Sequence, residues 1–385
     1  MASEYNSDGF SRKKLIFFSF IITTVALLLV VSLAEITLRF KYRNIENITG
    51  ITDWKDFDNG VYTYFGDIYH PTRGWTSRPG YHSNISLPYK VSINSQGLRA
   101  NHDYTLLPAA GTKRLAILGD SFTFGDEVND DQTLPYYLNH FLDATEVLNF
   151  GESGYGLDQM VLRLEEEVFL YHPTHILLVI AIPPDLARAV ITEYVHPKPA
   201  FAIKNGVLAL VNSPVPTHLR QPKIFRLSFA AAWFFGRPGG TTTDDSNEHV
   251  LAVSRALLSR AKRSCQEKGI PLIIVPILGP TYARELNDAG NYSSVGEFHD
   301  SVRNMMEEEH LVIANQYSFL RGMIKDKNEQ ELRNLASSTV VHWAGRGNCL
   351  LAGNISHDLI GIDSSWQISG TPPHCAPVFP SAAGK

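Results

Sequence analysis

Four short stretches carry residue types that could do chemistry together. The first is Gly119-Asp120-Ser121, within "AILGDSFTFGDEV" at the end of an apolar run. The second is the glycine-rich "NFGESGYG" (149–156), and the third is "PPD" (183–185). The fourth is "VVHWAGRG" (340–347), which contains His342. A serine, a close-approach glycine loop and a histidine are the parts of a nucleophilic acyl-transfer site. The triplet alone does not decide the matter, because a serine at the start of a helix is also a good N-cap.

The elements around these stretches predict that they meet. "RLAIL" (114–118), "EVLNF" (146–150), "HILLVIAI" (175–182), "PLIIVPIL" (271–278) and "LVIAN" (311–315) are short apolar runs. Runs of this kind suit strands of a parallel sheet covered on both faces. Helical stretches alternate with them, near 131–143, 157–171, 248–268, 295–309 and 345–358. The order predicts a three-layer α/β/α, flavodoxin-like domain over residues 109–362. In such sheets, sites form outside the carboxyl ends of the strands, where three of the four stretches fall. The fourth leads into the last helix.

Once the blocks are set in order, the chain resembles the SGNH/GDSL hydrolase superfamily in its membrane-anchored bacterial form. "ILGDSFTFG" is similar to that family's nucleophile block, "VLNFGESGYGLDQ" to its glycine block and "HWAGRGNCLLAG" to its histidine block. "INSQGLR" (93–99) and "KPAFAIKNGVLALVNSPVP" (198–216) also look like segments of that subgroup. The resemblance spans about residues 68–360. It implies that Ser121 is the nucleophile and His342 its general base. It also implies that the backbone N–H groups of Ser121 and Gly154 hold the oxyanion. Gly119, Asp120 and Asp185 read as structural support of the site, with no metal ligand and no cofactor.

Two positions depart from the family pattern. Pro184 stands where the third block has an oxyanion-donating asparagine, and proline lacks a backbone N–H. Thr339 and Val340 stand where an aspartate would orient the histidine. One lost oxyanion donor costs about 100- to 1000-fold, and a lost carboxylate partner about 10⁴-fold. The pattern predicts weakened chemistry unless a backbone carbonyl orients His342 or the insertion supplies a donor. It leaves open a non-catalytic relative that binds a glycan or an envelope-assembly partner.

Outside this domain, residues 1–14 form a short tail. Residues 15–34 ("LIFFSFIITTVALLLVVSLA") are uncharged and long enough to cross a bilayer. Basic residues flank both ends (Arg12, Lys13 and Lys14; Arg39, Lys41 and Arg43), so charge alone does not orient the span. The expectation is a single-pass protein with its bulk outside the cytoplasm. Residues 35–108 read as an irregular lead-in packed on the main domain, 190–248 as an insertion, and 363–385 as a loose tail. The 34 basic and 39 acidic residues give a formal charge of −5 without a basic run, which argues against nucleic acid. An acyl ester or acylated glycan is the substrate class implied by the resemblance. Among the three cysteines, Cys349 and Cys375 could pair if the tail folds back. The sequons at Asn47, Asn84, Asn291 and Asn354 carry meaning only in a eukaryotic secretory setting. His172 and His175 fall at the wrong end of the third strand for the site. His357-Asp358 falls at the far end of the last helix, and reads as a solvated surface pair.

Overall fold

The structure is a computed structural model, and it describes residues 12–41, 66–83, 88–194, 196–217, 228–235, 246–289 and 294–368. Asn47, Asn84, Asn291, Cys375 and most of the tail lie outside the described residues. The chain divides into two units. One comprises Met1–Thr52 and Leu219–Gly239, the other Asp53–His218 and Gly240–Lys385.

The larger unit is built on a five-stranded parallel sheet. Its strands are β3 (Lys113–Gly119), β4 (Thr145–Gly151), β5 (His175–Ala181), β8 (Leu272–Ile277) and β9 (Val312–Ile313), in the spatial order β4-β3-β5-β8-β9. The first strand of the sheet thus lies between the second and the third, the doubly wound order of flavodoxin-like folds. Alternate residues of each strand face opposite layers. Ala116, Leu118, Leu178 and Ile180 belong to one apolar cluster, with the helices Leu157–Glu166 and Asn247–Glu267. Leu115, Ile117, Leu177 and Val179 belong to the other, with Leu134–Phe141 and Gly345–Ile362. Because both faces are buried, the strands carry no polar alternation, and this made them readable as apolar runs. The last strand is shorter than "LVIAN" suggests. Only Val312 and Ile313 pair with β8, and Val312 is 45% exposed at the sheet edge.

The lead-in contributes to this core. β1 (Asp67–His70) and β2 (Gly74–Ser77) form an antiparallel hairpin, and Trp75, Ile93 and Leu98 are fully buried. Trp75 donates from Nε1 to the Ser153 carbonyl at 2.9 Å, and Tyr155 donates its hydroxyl to the Trp75 carbonyl at 2.6 Å. Ser77 binds Glu152 through both its N–H (3.0 Å) and its hydroxyl (2.7 Å), and Arg163 faces Glu152 at 3.2 Å. The lead-in therefore holds the glycine block in place.

The insertion opens with a second hairpin, β6 (Ala200–Lys204) and β7 (Val207–Val211). Its two-residue turn is Asn205-Gly206, both in the left-handed region, the usual chemistry of such a turn. Just before it, Lys198 is fully buried and meets Asp158 at 2.6 Å, while also donating to the Arg188 carbonyl at 2.8 Å. A buried lysine is tolerated only when so paired.

In the smaller unit, the helix Arg12–Lys41 is uncharged across 15–34 and long enough to cross a membrane. The helix Phe229–Phe235 belongs to the same unit.

Candidate active site

The site is built at the carboxyl ends of β3 and β5, where the strand order reverses. Gly119 ends β3. A Cβ there would fall 2.1 Å from Thr123 Oγ1 and 3.0 Å from the Val179 carbonyl, so only glycine lets the next turn sit so close to the sheet. The short helix Ser121–Phe124 follows at once. Asp120 caps it, accepting from Phe122 N at 3.0 Å. Ser121, 6% exposed, occupies the first helical position rather than the cap.

Ser121 Oγ lies 2.8 Å from His342 Nε2. The other ring nitrogen, Nδ1, lies 2.8 Å from Glu127 Oε2. A carboxylate beside Nδ1 sets the tautomer: Nδ1–H donates to Glu127, and Nε2 is left as a hydrogen-bond acceptor facing the Ser121 hydroxyl. Phe122 packs edge-on against the imidazole with centroids 5.0 Å apart. His342 is thus held by serine, glutamate and an aromatic wall.

The expectation that His342 lacks a carboxylate is corrected here. The acid comes from the Ser121 turn itself, six residues after the serine. The helix ends at Gly125 in the left-handed conformation, and the N–H groups of Gly125 and Asp126 both return to the Ser121 carbonyl (2.8 and 3.0 Å). This reversal brings Glu127 back towards the serine. Glu127 itself sits at φ +61, a conformation that costs a non-glycine residue energy and is held only by its surroundings. Arg99, from "INSQGLR", provides part of that hold. Its buried guanidinium donates to the carbonyls of Phe124 (3.0 Å), Gly125 and Val128 (2.8 Å), and it faces Asp130 at 3.3 Å.

Thr339 has a different use from the one the family pattern suggests. It donates its hydroxyl to the same Glu127 oxygen at 2.8 Å. Burial works to raise the Glu127 pKa, but hydrogen bonds from His342, Ser337 and Thr339 outweigh it and hold the carboxyl below its ordinary range. Glu127 is thus ionised opposite the imidazole. Its neighbour Asp126 is different: burial pushes its pKa up to about 6, against the pull of His342 and a 2.7 Å hydrogen bond from Ser153.

Gly154 is in the left-handed region (φ +76) between Trp75 and Tyr194, which a Cβ would approach to 3.4 and 3.3 Å. Neither its N–H nor that of Ser121 has an acceptor among the described residues. These are two free donors of the kind an oxyanion needs. Pro184 begins the helix Pro184–Arg188 and offers no N–H. The next residue, Asp185, is fully buried; it accepts from Ala181 N at 2.7 Å and from Arg188 at 2.8 Å. Arg188 also reaches Asp120 at 3.1 Å and the Tyr155 carbonyl at 3.0 Å. One guanidinium therefore ties together the loops after β3, β4 and β5. Burial and the nearby Asp120 charge push the Asp185 pKa well above the usual carboxylate range.

The remaining histidines lie elsewhere. His175, at the amino end of β5, faces Asp363 at 3.4 Å. His172 forms the left-handed cap of the turn before that strand. Asp358 accepts from Gln316 at 2.7 Å. Among the described residues no cluster of acidic, histidine or cysteine side chains could hold a metal. Cys265 is a buried free thiol, whereas Cys349 is disulfide-bonded.

No family model matches the chain, and no curated protein matches it. Solved structures do. A lipase/acylhydrolase from Enterococcus faecalis is 14% identical over 65% of this chain and 97% of its own, with a TM-score of 0.38. An acetyl-xylooligosaccharide esterase from Geobacillus is 15% identical over 65% and 95%, with a TM-score of 0.39. A GDSL-like lipase from Bacteroides thetaiotaomicron is 14% identical over 66% and 91%, with a TM-score of 0.36. It is to GDSL-type acylhydrolases and esterases such as these that the α/β chain is similar.

Proposed function

We propose that the protein is a membrane-anchored SGNH/GDSL-type serine esterase or acyltransferase. The observation that carries this reading is the continuous hydrogen-bonded line Ser121–His342–Glu127, with 2.8 Å at each step. As His342 Nε2 takes the hydroxyl proton, Ser121 Oγ attacks the acyl carbon. Glu127 keeps the ring oriented and stabilises the imidazolium that forms, without taking the proton itself. The N–H groups of Ser121 and Gly154 receive the oxyanion. Collapse of the tetrahedral adduct breaks the ester bond, and His342 returns the proton to the departing alkoxide. Water, or an acceptor hydroxyl in a transferase, then repeats the sequence on the acyl-serine.

Asp120 and Asp185 serve through Arg188, fixing the loops that present Ser121 and Gly154. Pro184 favours slower turnover than a three-donor oxyanion site would give, and it is the one observation that favours the alternative of an inactive, glycan-binding relative.

The sequence blocks resemble those of membrane-anchored relatives acting on acylated glycans, which supports a carbohydrate ester of the cell envelope as substrate. The uncharged span at 15–34 supports a single-pass anchor. The disulfide at Cys349 supports placing the larger unit outside the cytoplasm, since disulfides persist in oxidising compartments.

The test is labelling with an active-site-directed fluorophosphonate, beside turnover of short acyl esters. Wild-type protein should be labelled and Ser121→Ala should not. Well-folded wild type that neither labels nor turns over would leave the binding reading in its place.

A further inference from the structure

The smaller unit joins two segments that are far apart in the chain. Glu35 follows directly on the uncharged stretch 15–34, and its carboxylate receives the start of the helix Phe229–Phe235. Ser228 donates its hydroxyl to Glu35 at 2.8 Å, Phe229 its N–H at 3.0 Å and Ala230 its N–H at 2.8 Å. First-turn N–H groups have no acceptor within their own helix, and a carboxylate there is also favoured by the helix dipole. Arg39 completes the joint, facing Glu35 at 2.6 Å and lying over the Phe229 ring at 4.8 Å.

The docked helix reads "FAAAWFF", without a charge or a hydrogen-bonding side chain other than the Trp233 indole. Trp233 is 52% exposed. Its position matters more than its composition. A helix rises 1.5 Å per residue, so Glu35 stands at the edge of the hydrocarbon layer when 15–34 spans it. That is the level at which tryptophan is enriched in membrane proteins, its ring in the headgroup zone and its N–H near water.

We propose that the Phe229–Phe235 helix is an interfacial membrane element, docked on the anchor through Glu35, with phospholipid covering the exposed Trp233 ring. This rests on the anchor reading above. It adds a second, distant part of the chain to the membrane attachment.

The experiment uses full-length protein in phosphatidylcholine vesicles brominated either near the headgroup or deep in the acyl chains. The contribution of Trp233 is the difference in emission between wild type and Trp233→Phe. Headgroup-proximal bromine should quench that component more strongly than deep bromine. Glu35→Ala should lose the quenching while still floating with the vesicles. Flotation of wild type without any Trp233 quenching overturns the interfacial helix and leaves the anchor standing; it is also the result expected if protein covers this surface. Stronger quenching by deep bromine likewise overturns it. Failure to float removes the anchor, and this proposal with it.

Discussion

Glu127 and His342 meet at 2.8 Å across 215 residues of chain, and the glutamate belongs to the same turn as Ser121. Serine and acid are therefore presented by one seven-residue segment, and His342 enters between them from the loop before the last helix.

Replacing Glu127 by glutamine should show what that contact is worth. The amide can donate to Nδ1 and favour the wrong tautomer, so kcat for a short acyl ester should fall, by up to about 10⁴-fold, with KM little changed. Glu127→Asp, a shorter carboxylate, should lose less. A Glu127→Gln enzyme with wild-type kcat would remove the glutamate from the mechanism.

Pro184→Asn would place a donor where the resembling family has one. If the oxyanion is held by two N–H groups only, kcat should rise, on the order of 100-fold for a well-aimed donor. Unchanged turnover in a folded variant would mean that another group already fills that role.

Arg99 should behave as a positioning residue. Arg99→Lys cannot reproduce a fork that serves four carbonyls, those of Lys90, Phe124, Gly125 and Val128. Buried acceptors would be left unpaired, lowering stability by about 2–4 kcal/mol in thermal or urea unfolding. The turn bearing Glu127 would loosen, so kcat should fall and its pH profile should shift. Wild-type stability and profile in Arg99→Lys would refute this.

Asp126 gives a pH-dependent prediction. Its folded pKa is raised to about 6 by burial, so the native state holds a proton that the unfolded chain has already lost between about pH 4 and 6. Its contribution is present below that window and is lost as pH rises through it. Asp126→Asn should therefore be more stable than wild type at pH 7, by up to about 3 kcal/mol. The difference should close by about pH 4. Urea midpoints across this range would check it, and parallel pH curves for the two proteins would contradict it.

The sheet was legible because strands buried on both faces leave continuous apolar runs, and the strand ends then indicated where chemistry would gather. Ser121 and His342 were singled out in this way and lie 2.8 Å apart, and Gly154 was singled out from the block that resembles the family's glycine loop. Glu127 was missed because the family pattern directs attention to the residues just before the histidine, here Thr339 and Val340. The signal that could have located it was local: Gly125 followed by two acids, a left-handed helix stop that turns the chain back over the serine. The buried hold of Arg99 on that turn was not readable, since "INSQGLR" looks like a polar loop until its guanidinium is seen among backbone carbonyls. The hairpin at 200–211 was readable from Asn205-Gly206 but lay inside what looked like an irregular insertion.

On the proposed mechanism, the shared turn of Ser121 and Glu127 also bears on how activity would appear during folding. Two of the three groups lie on one seven-residue segment and are brought to the same side as the turn closes. The triad then lacks one long-range event, the seating of His342. Recovery of catalysis on refolding should therefore time the arrival of the C-terminal third of the chain, independently of when the sheet itself has formed.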